Sequence, residues 1–164
     1  MWTALQAWMH SSAAGEFLLT ALVSMLPVLE IRGGIPFGTA LGLPVTTAYI
    51  AALIGNMLPV PIIILCIRKV FAFLRRRFTR LGAFVDRLEK RAWEKSRSVQ
   101  KYQSWGLFVL VAIPLPGTGA WTGALIAALL DMRLRRALPV IFAGAAAAGL
   151  IVALLTVGAV GLLG

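Results

Sequence analysis

The sequence is poor in the residues that carry most enzymatic chemistry. Among its 164 residues it has one cysteine, Cys66, and one histidine, His10. A single cysteine excludes an internal disulfide and any multi-cysteine metal site. Cys66 lies in an apolar run and reads as packing. A single histidine leaves little for histidine-based catalysis or metal binding. There is no Gly-x-Ser-x-Gly, no pair of intramembrane aspartates and no histidine partner for a nucleophile, so an intramembrane enzyme is not expected. No catalytic residue, metal or cofactor is nominated. No basic n-region precedes a short apolar run, so no cleaved signal peptide is expected.

Charge is missing over long stretches. From Phe17 to Ile67 the only charged residues are Glu30 and Arg32. None occurs between Lys101 and Asp131, and none follows Arg136. What fills the gaps is apolar: 60% of residues are hydrophobic, and the mean hydropathy is +0.89. Runs longer than the roughly 18 apolar residues that suggest a membrane span recur. The chain reads as an all-α integral membrane protein of one domain.

The net charge of +10 is concentrated. Twelve of the sixteen Lys/Arg fall between Arg68 and Lys101, and three more are Arg133, Arg135 and Arg136. Basic loops beside spans follow the positive-inside rule and contact anionic lipid headgroups. Membrane lipid, not nucleic acid, is therefore the expected partner of these charges.

Residues 1–16, with Trp2, Leu5, Trp8 and Met9 able to share a face, read as an interfacial helix. Residues 17–67 form a first repeat. As one straight helix, residues 17–43 would hold Glu30 and Arg32 near the bilayer centre, at about 2.5–3.5 kcal/mol each. Pro27, Gly33, Gly34 and Pro36 argue for a break. Two half-helices of about 20 Å each, at 1.5 Å per residue, fit a re-entrant hairpin instead. Broken backbone is tolerated at membrane depth where protein or a wet cavity surrounds it. Residues 44–67 then make a full span carrying Asn56, Pro59 and Pro61. Its end at Arg68 and Lys69 places that end in the cytoplasm.

Residues 68–104 are basic. Val70, Leu74, Phe78, Leu81, Val85 and Leu88 form an apolar helical stripe, so the segment reads as an amphipathic helix on the cytoplasmic face. The rival reading is a calmodulin-like target or partner helix. Residues 105–164 form a second repeat. Pro114-Leu-Pro116-Gly117-Thr118-Gly119 interrupts an apolar stretch with basic residues at both ends. A second re-entrant hairpin satisfies both the interruption and the charges. Residues 138–163 make the last span, with Gly144, Ala148 and Gly149 allowing close helix approach.

The two halves share one order of elements. Each has an apolar half-helix, a proline-bearing tip, a Gly-rich turn, a second half-helix and a span. Pro27 to Pro44 is seventeen residues, and so is Pro114 to Asp131. The basic ends orient hairpin 1 from outside and hairpin 2 from inside, which makes the repeat inverted. Inverted repeats with broken helices are the construction of many secondary transporters.

Three motifs in order carry a resemblance: Glu30-Ile-Arg32-Gly33-Gly34-Ile-Pro36, then Gly55-Asn56 ahead of Pro59 and Pro61, then Pro114-Leu-Pro116-Gly117-Thr118-Gly119-Ala-Trp121-Thr122-Gly123. Together, and over nearly the whole chain, they resemble the bacterial small multidrug export protein family. That family looks like a distant relative of the DedA/VTT superfamily, whose members have paired re-entrant hairpins. Some DedA relatives are implicated in moving undecaprenyl phosphate or other lipids, with proton coupling proposed. DedA proteins carry arginines in the second-hairpin motif, whereas residues 114–123 have none. Arg32 is the only basic residue at membrane depth. The chain does not match the four-helix small multidrug resistance transporters.

Two readings of Glu30 and Arg32 stand side by side. They neutralise each other and bond broken backbone, as buried charges usually do, or they face a cavity where the hairpin tips meet. In the second reading Arg32 is an anion hook with a planar donor fork, and Glu30 is a proton carrier. The helix start near Gly119–Thr122 would favour an anion, Thr118 and Thr122 would add hydroxyls, and Gly33, Gly34, Gly117 and Gly119 would allow tight turns. Pro36, Pro114 and Pro116 shape the tips. Asn56 either satisfies hairpin backbone or joins the site, and Trp121 is a packing anchor or a gate. Asp131 is expected to pair with Arg133 or Arg135.

The function implied is a proton-coupled transporter or flippase for an amphipathic anion such as a lipid phosphate, in the bacterial inner membrane. Hydrophobic drug efflux and a non-transport role in membrane assembly or shaping are the alternatives. With only two full spans, a homodimer is expected.

Overall fold

The computed structural model describes residues 12–67, 87, 90, 104–115, 117–130 and 132–163. Most of the basic segment, Pro116 and Asp131 lie outside them, as do Trp2, Leu5, Trp8 and Met9. The described residues are helical, with no strand among them. The elements are α1 (Ala13–Ser24), α2 (Glu30–Ala40), α3 (Val45–Met57, resuming over 59–67), α4 (Ser104–Ala112), α5 (Ala120–Leu129) and α6 (Leu134–Leu163).

The chain divides into two compact units. The first holds everything up to Leu58 together with Ala145 onward; the second runs from Pro59 to Gly144.

In the first unit, Ser12 starts α1 by accepting the Gly15 N–H on its hydroxyl at 3.1 Å. It thereby satisfies one of the amides that a helix start leaves open. Glu16 in the first turn suits the positive end of the helix dipole. The helix ends at Ser24, and residues 25–29 turn the chain into α2. α1 and α2 are antiparallel. A Cβ built on Gly38 would crowd Thr20, and one built on Gly34 would crowd Ser24.

Gly33, Gly34 and Pro36 therefore lie inside α2 and not in the turn. Their work is different from the one their residue types suggest. Gly34 and Gly38 are one helical turn apart and let α2 press close to two neighbours at once. Pro36 has no N–H to give to the Arg32 carbonyl, yet the helix continues through it.

α3 crosses the same pair of glycines. Ala48 lies 2.9 Å from the Cβ position at Gly38, and Ala52 lies 3.1 Å from that at Gly34. Gly55 packs directly on the α1 backbone at Ala21. α3 bends at Leu58, where Pro59 and Pro61 remove N–H donors from the helical ladder. The other face of α2 buries Ile31 and Ile35 against Ala52, Ala148 and Val152. Tyr49 ties α3 to α6 through a 3.0 Å bond from its hydroxyl to the Ala146 carbonyl.

In the second unit, α4 and α5 fold back on one another, with Val111 2.6 Å from the Cβ position at Gly123. The first part of α6 joins them through Gly144, whose Cβ position lies 2.8 Å from Val111 Cβ and 3.0 Å from the Phe108 carbonyl oxygen. Gly144, Ala148 and Gly149 thus occupy close helix approaches, as their residue types suggest.

The recurrence between the halves is closer than residue identity reveals. Val45 and Leu134 open their helices, and Ala40 and Leu129 close theirs, at the same spacing of 89 residues. Burial follows the same offset. Ile31, Gly34, Ile35 and Gly38 are buried, and so are Ala120, Gly123, Ala124 and Ala127. Ala48, Ala52, Gly55 and Asn56 match Ala137, Ile141, Gly144 and Ala145. Before the turns the offset is 87, since Pro27 answers to Pro114 and Ser24 to Val111. The stretch between the paired helices runs from 25 to 29 in the first half and from 113 to 119 in the second.

Two helices, Val45–Ile67 and Leu134–Ala159, are long and apolar enough to cross a membrane. Less than half of each is buried, unlike the core helix of a soluble protein. Ile50, Ile54, Leu58, Ile62 and Leu65 form a continuous exposed stripe down the first of them. An exposed apolar face of that length suits a hydrocarbon surrounding.

Candidate functional site

The first unit contains a stack of small residues that ends in polar ones. Its first rung is Thr20, Gly38 and Ala48; its second is Ser24, Gly34 and Ala52. α2 and α3 run antiparallel through these rungs. One turn further, four residues back on α2 and four forward on α3, the register places Glu30 across from Asn56. Both are buried, at 5% and 1% exposure. α1 has ended by then, and the turn at 25–29 takes its place.

The polar members differ in how they are satisfied. The Thr20 hydroxyl donates to the Glu16 carbonyl at 2.7 Å, and the Ser24 hydroxyl donates to the Thr20 carbonyl at 2.8 Å. Such bonds within one helix let hydroxyls sit in an apolar stack without outside help. Asn56 has no such recourse. Neither its Nδ2 nor its Oδ1 has a hydrogen-bond partner among the described residues. The hairpin backbone thus receives no bond from Asn56 within them. A buried amide left this way costs on the order of 1–3 kcal/mol.

Glu30 opens α2 with a φ of +48°. That left-handed conformation costs a residue with a side chain roughly 1–2 kcal/mol, and such outliers cluster at functional sites. Its carboxylate at a helix start meets the positive end of the dipole. Arg32, partly buried, lies close enough to Glu30 for the two charges to attract. Gly33 faces the Leu29 side chain, 2.9 Å from its Cβ position. Pro36 is exposed and borders an apolar groove of about 450 Å³ with Thr39, Val152, Leu155 and Thr156.

The second group of candidates lies in the second unit. The Thr118 hydroxyl lies 2.8 Å from the carbonyl oxygens of both Ile113 and Leu115 and shares its one proton between them. Thr122 donates to the Gly117 carbonyl at 3.2 Å. A hydroxyl has one proton, so both are engaged in holding the turn together and not offered to an anion. Gly117 and Gly119 have φ of +77° and +139°, conformations open to glycine. Trp121 stands in the first turn of α5, partly buried, and Pro114 stands in the turn. Sequence reasoning missed Ser24 and Gly38; the signal for Gly38 was the Gly34-x-x-x-Gly38 spacing, which marks a helix-packing face.

With the geometry in hand, comparison with known proteins gives one match. The model of the family described as "Putative small multi-drug export protein" covers residues 30–151. The chain belongs to this family. The match begins at Glu30 and spans the candidates from Glu30 to Thr122; Thr20 and Ser24 precede it. The family description names export and no enzyme class, and it agrees with the two apolar helices in pointing to a membrane protein. No curated protein and no solved structure shows significant similarity to the chain.

Proposed function

We propose that the protein is a membrane transporter that moves an amphipathic anion, such as a lipid phosphate, with its movement coupled to protons. Arg32 is the anion hook and Glu30 the proton carrier. One observation carries this reading. The same order of helices occurs twice at a similar spacing, and the positions 89 residues on from Glu30, Arg32 and Asn56 are Gly119, Trp121 and Ala145. The second unit forms its stack without charge, so the stack does not require charge. Two ionisable groups in an apolar protein, at about 2.5–3.5 kcal/mol each at membrane depth, are then accounted for by function.

Membrane depth for the hairpins is supported by their turns. Residues 25–29 are Met-Leu-Pro-Val-Leu, and Leu26, Val28 and Leu29 are exposed, Val28 at 89%. Ile113 and Leu115 are exposed in the other turn. Turns facing water are built from Gly, Asn, Asp and Ser; these face hydrocarbon. Each helix of the first hairpin, twelve and eleven residues long, reaches about half of a 30 Å hydrocarbon core at 1.5 Å per residue. The basic residues of 68–101 then lie on the cytoplasmic side of the bacterial inner membrane, against anionic lipid, and the two repeats are inverted. Two spans per chain fit a homodimer.

The test is transport in reconstituted vesicles. Glu30→Gln and Arg32→Ala abolish anion movement while the protein still inserts and keeps its helical content. Full transport by both variants rules the mechanism out. The family description favours a second reading, efflux of hydrophobic drugs. There Glu30 alone matters, and an Arg32→Ala strain keeps its resistance profile.

A further inference from the structure

The unsatisfied amide of Asn56 points to a second position for Glu30. Asn56 offers one acceptor, Oδ1, and donors on Nδ2. An ionised carboxylate only accepts, so it serves Nδ2 and leaves Oδ1 unmet. A protonated carboxyl both donates and accepts, and closes a ring of two hydrogen bonds with a carboxamide. Of the two forms of Glu30, only the protonated one satisfies both atoms of Asn56. The register of the stack sets the two side chains on the same rung, away from water.

We propose that Asn56 is the docking group for protonated Glu30. A proton from the medium adds to a carboxylate oxygen of Glu30, and no other covalent bond changes. The neutral carboxyl leaves Arg32, donates its O–H to Asn56 Oδ1 and accepts from Asn56 Nδ2. The Arg32 guanidinium, no longer held by a carboxylate, is released to an anionic headgroup. The strained φ of +48° falls on Glu30 itself, the residue whose side chain changes partner.

Among the described residues of the first unit, titratable groups are few. Arg32 is the one other charged group on α2. Tyr49 is the one titratable residue of α3 before Leu58, and its hydroxyl is bonded to Ala146. Glu16 is the one on α1, two helical turns from Ser24, about 12 Å along the axis. Residues 145–163 of α6 have none. This inference deepens the transporter reading, on which its consequence for Arg32 rests.

The experiment is infrared spectroscopy of the full chain in detergent while the pH is lowered. The signal is the C=O band of a protonated glutamic acid. The band is present in the native chain at the frequency of a hydrogen-bonded carboxyl and is lost in Glu30→Gln, which assigns it. In Asn56→Leu, of similar size but without polar atoms, it moves up to the frequency of an unbonded carboxylic acid. Asn56→Ala gives the same shift and serves if the leucine variant does not fold. An unmoved band in these variants, or no Glu30-dependent band at any pH at which the fold survives, overturns the proposal. The measurement needs no substrate. A chain that shows the shift but moves no anion loses the transporter reading and keeps the pair; a chain that moves anion without the shift does the reverse.

Discussion

Replacing Gly55 by alanine tests whether α3 truly rests on the α1 backbone. The added Cβ would stand 2.6 Å from the Ala21 carbonyl carbon and 2.7 Å from its Cα, and nearer still to the oxygen. Carbon atoms in contact prefer about 3.5–4.0 Å, so the two helices must part by about 1 Å. The obstacle is backbone, which cannot rotate aside as a side chain can. Overpacking of this kind costs about 1–3 kcal/mol or more. Against it stands a gain of about 1 kcal/mol from exchanging glycine for alanine in a helix. The expected net loss is about 2 kcal/mol. Gly158→Ala is the matched control, because nothing lies within 4 Å of its Cβ position; it should gain up to about 1 kcal/mol. Gly144→Ala, which meets Val111 Cβ at 2.8 Å and the Phe108 oxygen at 3.0 Å, falls between. Thermal unfolding of the full chain in detergent should rank Gly158→Ala highest, then Gly144→Ala, then Gly55→Ala. If Gly55→Ala melts with Gly158→Ala, the backbone contact does not exist and the position of Asn56 beside it loses its support.

Two further outcomes follow from the same geometry. Gly34→Ala should destabilise by about 1–3 kcal/mol through collision with Ser24, and Ser24→Ala in the same chain should restore part of that loss; chemical denaturation of the single and double variants measures the coupling. In a Cys66→Ser background, cysteines at Ala13 and Thr46 should label from the same side of the membrane, since Ala13 opens the first hairpin and Thr46 follows its end at Ala40 by one short turn. Labelling from opposite sides would show that residues 13–44 cross the bilayer.

The order of elements was legible because prolines and charge gaps mark it: a break near Pro27, another near Pro114 and a long apolar helix after each. The register of the repeat was not. Equal spacings from Pro27 to Pro44 and from Pro114 to Asp131 suggest one constant offset, whereas the stretch between helices is five residues in the first half and seven in the second. Nothing in residue identity corrects this. Ile31 answers to Ala120, Ile35 to Ala124 and Asn56 to Ala145, since packing asks only that these positions be small or apolar. The glycines misled for a related reason. Gly33-Gly34 beside Pro36 has the composition of a turn, yet the chain needs Gly34 for its missing Cβ against Ser24 and Ala52, which only the tertiary arrangement reveals.

The same comparison weighs the two readings of Glu30 and Arg32. A structural ion pair earns its place where the fold would otherwise leave a gap or an unmet group. In the second unit the turn is held by Thr118 and Thr122 bonding its own carbonyls. The first unit instead keeps a carboxylate on left-handed backbone, a guanidinium beside it and a buried amide with neither polar atom bonded within the described residues. Left-handed backbone and an unmet buried amide both oppose stability. Residues retained against stability are expected where a protein binds or moves something. On the proposed reading the pair of charges and Asn56 act as one group, and variants at any of the three should alter activity more than they alter folding.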